Sequence, residues 1–293
     1  MSTQPLNAEV KDAAVAAQRE EINGHLIYKR LATVARDPRT KEILERMATD
    51  ELRHYNFWKE HTQINVKPSR MLVWFYVFVS RIFGITFGLK LMENSEERAQ
   101  EIYDKLSKFV AGAEEILRDE EIHEDQLIGS VKEERLDYVS SMVLGLNDAL
   151  VELTGALAGF SLAFQNSLVV AVAGLITGIA ASLSMATSAY LSTKAEGSSK
   201  LPLKAALYTG SAYLITVMLL IAPFLLFQET ILSLGVTITF AILIIFVFTY
   251  YISVAKDLPF KRRFVEMAAI SLGVAALTFL IGVIVRVYLG IEI

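Results

Sequence analysis

Two short segments place a carboxylate three residues before an imidazole: Glu51 and His54 in "DELRHYNFW", and Glu120 and His123 in "RDEEIHEDQL". On a helix, positions three apart share a face, so each pair can grip one cation between an oxygen and a nitrogen donor. Mixed carboxylate and imidazole donors suit Fe(II), Mn(II) or Zn(II) and not Cu(I). The chain has no cysteine, which excludes disulfides, zinc–thiolate sites, iron–sulfur clusters and thiol nucleophiles.

The two pairs sit in an internal repeat. "EINGHLIYKRL" aligns with Glu96–Leu106, so that Glu21 meets Glu96 and Ile27-Tyr28-x-Arg30-Leu31 meets Ile102-Tyr103-x-Lys105-Leu106. Further on, "EILERMATDELRHYNFW" meets "EILRDEEIHEDQL". Each repeat therefore reads as a helix carrying a Glu, a turn, and a helix carrying Glu-x-x-His. Pro38 in "ARDPRTKE" suits the start of the second helix. Two Glu plus two Glu-x-x-His projecting inward from four helices is the pattern of di-iron and di-manganese carboxylate bundles. The repeat selects Glu21 and Glu96 from the adjacent pairs Glu20/Glu21 and Glu96/Glu97. Glu93, one turn before Glu96, is an additional or exchanging ligand. His25 reads as a neighbour of the site or a surface residue, and His61 as an exposed helix end.

The elements that position these residues differ sharply from the C-terminal half of the chain. Residues 1–138 hold 25 acidic residues, 20 Lys/Arg and all four His, whereas residues 139–293 hold 7 acids and 8 Lys/Arg within long apolar runs. Two domains in two solvents are expected, 1–135 and 136–293. The second contains five runs long enough to cross about 30 Å of hydrocarbon as helices, roughly Tyr138–Phe164, Leu168–Ser192, Leu203–Phe227, Thr230–Val254 and Phe264–Leu289. The basic connections "KEERLD", "STKAEGSSKLPLK" and "AKDLPFKRR" fall on one side, while "FQNS" and "FQET" carry no Lys or Arg. The positive-inside rule makes the basic side cytoplasmic, so the N-terminal domain is expected in the cytoplasm and the C-terminus outside the cell membrane. The N-terminal segment lacks the pattern of a secretory signal, in keeping with that orientation.

A sixth apolar run, Met71 to Met92, carries Arg81 at its centre, at a cost of roughly 2.5–3.5 kcal/mol for a span. It is expected to be a long crossover helix between the two hairpins, lying partly against the bilayer surface through Trp74, Phe75, Tyr76 and Phe78.

Within the first span, Asp148 and Glu152 are one turn apart and face the same way. Intramembrane carboxylates on one face mark an ion or proton path. Gly145, Gly155, Gly159, Gly174, Gly178, Ala181 and Ser184 let the first two spans approach neighbours closely. Met185 offers a soft thioether ligand, although most Met in spans is filler.

On Glu21, Glu51-x-x-His54, Glu93-x-x-Glu96 and Glu120-x-x-His123, residues 18–133 resemble the rubrerythrin branch of the ferritin-like superfamily. On "GLNDALVELTGALAG" and "SLSMATSAYLSTKAEG", residues 138–293 resemble the vacuolar iron transporter family, whose five spans exchange Fe(II) or Mn(II) for protons. The fusion as a whole looks like the membrane-bound ferritin group, implicated in exporting iron from the cytoplasm. The resemblance implies that Asp148 and Met185 line the translocation path and that the bundle holds a di-iron centre. Two departures stand out. Thr177 occupies the position of a Glu in the family's plant members, and the acidic segment after the second span is reduced here to "KAEGSSKLP". Glu152 and the ferritin-like domain are the expected replacements.

The sequence thus reads as an all-α protein: a ferritin-like four-helix bundle of two hairpins with a long crossover, then a five-span membrane domain. The expected function is export of Fe(II), with Mn(II) as a second cargo, against protons. The expected partners are lipid and a second copy of the chain, not nucleic acid. No residue is assigned a catalytic role. The rival is a membrane-anchored di-iron ferroxidase or peroxidase.

Overall fold

Asp37 and Pro38 set the first hairpin. In the computed structural model, which describes residues 8–92, 106, 107, 109–120, 138–197, 200–256 and 258–289, helix α1 spans Ala8–Val34 and α2 spans Pro38–Thr62. The Asp37 carboxylate accepts from the Thr40 backbone N–H at 2.8 Å, and Pro38 occupies a first-turn position where no N–H is needed. Such a cap contributes about 1 kcal/mol. At the far end Gln63 turns the chain in the left-handed region, with φ 56°. So short a connection as residues 35–37 makes α1 and α2 antiparallel neighbours.

Helix α3, Arg70–Phe83, packs on this hairpin. It does not run as one unbroken helix to Met92, as the apolar run led one to expect. Gly84 interrupts it at φ 108°, a conformation that a side-chain-bearing residue rarely adopts, and the chain resumes as helix over residues 85–92. The exposed face also differs from expectation. Trp74, Phe75 and Phe78 point outward, while Tyr76 is buried with Val73 and Val77. The helical period decides this: Tyr76 lies two residues from Trp74 and from Phe78, on the opposite side.

Among the described residues, the N-terminal bundle has two apolar clusters. One joins Ile27 and Leu31 of α1, Leu44 and Met47 of α2, and Val73 and Val77 of α3. The other joins Ala14, Ala17 and Trp58 to Leu106, Val110, Ala113 and Ile116. Between them, on both helices of the hairpin, lies a polar layer: Glu21 on α1, with Glu51 and His54 on α2. A turn at Gly112, φ 93°, leads into a helix over residues 113–120 that carries Glu120.

The chain divides into two compact units, Met1–Glu133 and Glu134–Ile293. In the second, five helices among the described residues are long and apolar enough to cross a membrane: α4 Val139–Phe164, α5 Ser167–Glu196, α6 Pro202–Leu226, α7 Thr230–Ala255 and α8 Phe260–Leu289. They define a multi-pass membrane domain. Helix α5 packs along α6, and α8 along the second half of α4. Small residues allow this closeness: a Cβ on Gly178 would lie 2.6 Å from Val217, and one on Gly145 would collide with the Thr209 carbonyl.

Candidate functional site

In the bundle, Glu21, Glu51, His54 and Glu120 each bring one ligand atom to within 4.8 Å of the others. Glu21 and His54 are each 2% exposed and Glu51 6%, which is unusual for ionisable groups unless they are paired or bind metal. His54 Nδ1 faces the carboxylates, 2.9 Å from Glu120 Oε1 and 3.5 Å from Glu21 Oε2. Burial works against charge on this imidazole, but hydrogen bonds and ion pairing with Glu120 and Glu21 outweigh it and raise its pKa to about 10. In the absence of metal, these partners favour the protonated imidazole, whose charge offsets the surrounding carboxylates.

The surroundings fit a cation. A Cβ on Gly24 would lie 2.9 Å from Glu51 Oε2, so the missing side chain is what lets that carboxylate sit against α1. On the other edge of the ring, His54 Nε2 lies 3.3 Å from Asp119 Oδ2, and Arg53 donates to the same oxygen at 2.6 Å. A histidine held through its far nitrogen by a carboxylate is how metal-binding imidazoles are oriented. His25 does not join the cluster; its Nδ1 lies 2.5 Å from the Ala48 carbonyl and ties α1 to α2. His61 sits in the last turn of α2, half-buried against Phe57.

Of the bundle residues singled out in the sequence, Glu21, Glu51, His54 and Glu120 come together, while Glu93, Glu96 and His123 lie outside the described residues. The adjacency of Glu20 and Glu21 resolves geometrically, since Glu20 is exposed and Glu21 faces the cluster. Asp119 is a residue the sequence reading passed over. It precedes Glu120, and neighbouring helical positions point about 100° apart, so it reaches the opposite side of the same imidazole.

In the membrane unit, a wide π turn, Ala149–Leu153, in the middle of α4 begins just after Asp148 and contains Glu152. Regular α-helical spacing does not predict this turn. Such turns recur at functional sites because they displace a side chain and free a carbonyl. Here Ser271 of α8 donates to the Leu150 carbonyl at 2.9 Å, and Thr278 to that of Gly155 at 2.7 Å. The two carboxyl groups lie within reach of each other. Tyr213 of α6, fully buried, donates its hydroxyl to Glu152 Oε2 at 3.0 Å. Glu152 is nonetheless exposed, half-way along an apolar helix. Tyr213 is the second residue that the sequence reading missed; its only signal was a phenol well inside a span. Met185 is half-buried against the apolar core of the unit, and Thr177 bonds its own helix through the Ala173 carbonyl.

Comparison with protein families matches residues 14–131 to rubrerythrin and residues 139–201 to the VIT family. The chain is a fusion of a rubrerythrin-type, ferritin-like domain with a VIT-family membrane domain. The first match spans the hairpin, α3 and Glu120; the second spans α4 with its π turn, and α5. No curated protein and no solved structure matches the chain. The fusion thus joins a buried acidic and histidine cluster able to coordinate metal to a multi-pass membrane domain with carboxylates inside a span.

Proposed function

We propose that the fusion expels cytoplasmic Fe(II), with Mn(II) as a second cargo, across the cell membrane in exchange for protons. The observation that carries this reading is the Asp148–Glu152 pair at the π turn of α4. An acidic side chain at such a depth costs roughly 2.5–3.5 kcal/mol, which a divalent cation or a proton offsets. Protons and metal compete for the same oxygens, so the pair supplies the coupling. Met185 adds a soft donor to the path. Because Glu152 is exposed on one subunit, a second copy covers that face, making a homodimer with the path shielded from lipid. Basic connections on one side of the spans support a cytoplasmic ferritin-like domain and a C-terminus outside.

In the bundle, Glu21, Glu51, His54 and Glu120, joined by Glu93, Glu96 and His123, hold two metal ions. Iron is the expected pair, and Mn(II) and Zn(II) suit the same donors. Bound iron supplies redox chemistry. The chain's own residues bind, orient and desolvate: Asp119 holds His54, Gly24 makes room for Glu51, and the two apolar clusters exclude water. The domain collects, senses or oxidises metal ahead of transport.

A second reading, a membrane-anchored ferroxidase or peroxidase, draws on the same buried cluster. An anchor, however, needs neither five spans nor a carboxylate pair inside one of them. Flux into proteoliposomes separates the readings. The full-length protein is expected to carry Fe(II) under a pH gradient, and Asp148→Ala or Glu152→Ala to stop flux while the bundle keeps its metal. Asp148→Ala protein that carries Fe(II) at the parent rate removes Asp148 from the path. Fe(II) oxidation without flux in the parent favours the enzyme.

A further inference from the structure

Residues 61–92 contain four Lys/Arg and no Asp or Glu, inside a domain where acids outnumber bases. Within this stretch α3 turns Met71, Trp74, Phe75 and Phe78 to one side, and they are 85, 58, 51 and 60% exposed. The opposite side, Val73, Tyr76 and Val77, is already committed to the bundle core. Arg70 and Arg81 lie exposed near the two ends of the helix, and the Arg30 guanidinium from α1 lies 4.8 Å over the Trp74 ring. Scattered apolar residues on a surface need no explanation, but four large ones in a contiguous stripe mark a surface that meets something.

We propose that this face of α3 docks into the interfacial layer of the lipid bilayer, with Arg70 and Arg81 at anionic headgroups. The chemistry is that of an in-plane helix: bulky apolar side chains including Trp on one face, basic residues at the ends, no acid. Juxtamembrane basic residues are attracted to anionic lipid, and the chain's own spans keep a bilayer at hand. A second copy of α3 is the rival occupant, and charge disfavours it. Antiparallel pairing on this stripe would bring Arg70 of each copy towards Arg81 of the other, and parallel pairing would oppose identical arginines. Residues 61–92 supply no acid to neutralise either arrangement. Lipid phosphate does. The inference does not depend on which ion is transported, and concerns how the bundle is held.

The composition makes the test direct. The chain has two tryptophans: Trp58, fully buried in the bundle, and Trp74 on the stripe. Full-length protein is placed in nanodiscs of anionic lipid whose acyl chains carry bromine, a short-range quencher, or do not. Brominated lipid is expected to remove the Trp74 share of the emission, and a Trp74→Phe variant to show no such loss. Equal emission in the two lipids overturns the proposal. So does a disulfide between copies of a Phe78→Cys variant in this otherwise cysteine-free chain, because it makes the stripe a protein–protein face.

Discussion

His54 lies between two sets of carboxylates: Glu120 2.9 Å from Nδ1, and Asp119 3.3 Å from Nε2. The two acids are sequence neighbours on one helix, and the ring spans the gap between them. Asp119 is held in turn by Arg53 at 2.6 Å. An outer carboxylate of this kind fixes ring orientation and raises ligand basicity, and its loss costs roughly 10–100-fold in metal affinity. Asp119→Asn is expected to weaken Fe(II) or Co(II) binding to the bundle within that range. The exposed Arg53 pair contributes less than about 1 kcal/mol, so the metal-free melting temperature is expected to move little. Competition with a chelator measures the first, and thermal unfolding the second. Unchanged affinity removes Asp119 from the site.

The protonation of His54 gives a pH dependence of definite sign. Its folded pKa is raised to about 10, above the unfolded value of ~6.5. The stability this contributes to the metal-free protein is complete below ~6.5 and is lost as pH rises through about 10. Metal-free bundle unfolding is expected to become easier across that window, and His54→Ala to flatten the slope. Loading metal at neutral pH must expel the imidazolium proton, so calorimetry in buffers of different ionisation enthalpy is expected to register proton release that His54→Ala lacks.

Gly24 separates stability from binding. A methyl group there would lie 2.9 Å from Glu51 Oε2, which is the end of a flexible side chain and can move. Gly to Ala within a helix gains up to about 1 kcal/mol. Gly24→Ala is therefore expected to keep or raise the melting temperature of the metal-free protein while weakening metal binding, because the carboxylate is pushed aside. A variant that binds metal as the parent does shows that Glu51 needs no such seat.

Tyr213 holds Glu152 through one hydrogen bond at 3.0 Å. A hydrogen bond to a charged group contributes roughly 1.5–3 kcal/mol, equivalent to a factor of about 10–100. Tyr213→Phe keeps the buried ring and removes the donor. Transport of Fe(II) into proteoliposomes is expected to fall by about tenfold or more, with expression and thermal stability close to the parent's. A parent-like rate makes the contact structural only.

Which features came from local pattern and which from packing can be traced residue by residue. Glu51 with His54 was readable because helical spacing alone puts such a pair on one face. The five spans were readable because hydrocarbon thickness dictates the length of an apolar run. Arg81 at the centre of Met71–Met92 weighs against a sixth.

The tertiary structure decided the rest. Glu20 and Glu21 are alike as residues, and packing between two apolar clusters is what buries one of them. Gly84 broke a helix that apolar periodicity ran straight through, because a backbone angle carries no hydropathy. The π turn after Asp148 presents its Leu150 carbonyl to the hydroxyl of Ser271, 121 residues further along the chain. Asp119 and Tyr213 acquire their meaning only from the histidine and the glutamate that folding sets before them. Sequence determines a face whenever its period is local. Which side chain from another helix meets that face depends on long-range contacts, and those exist only in the folded chain.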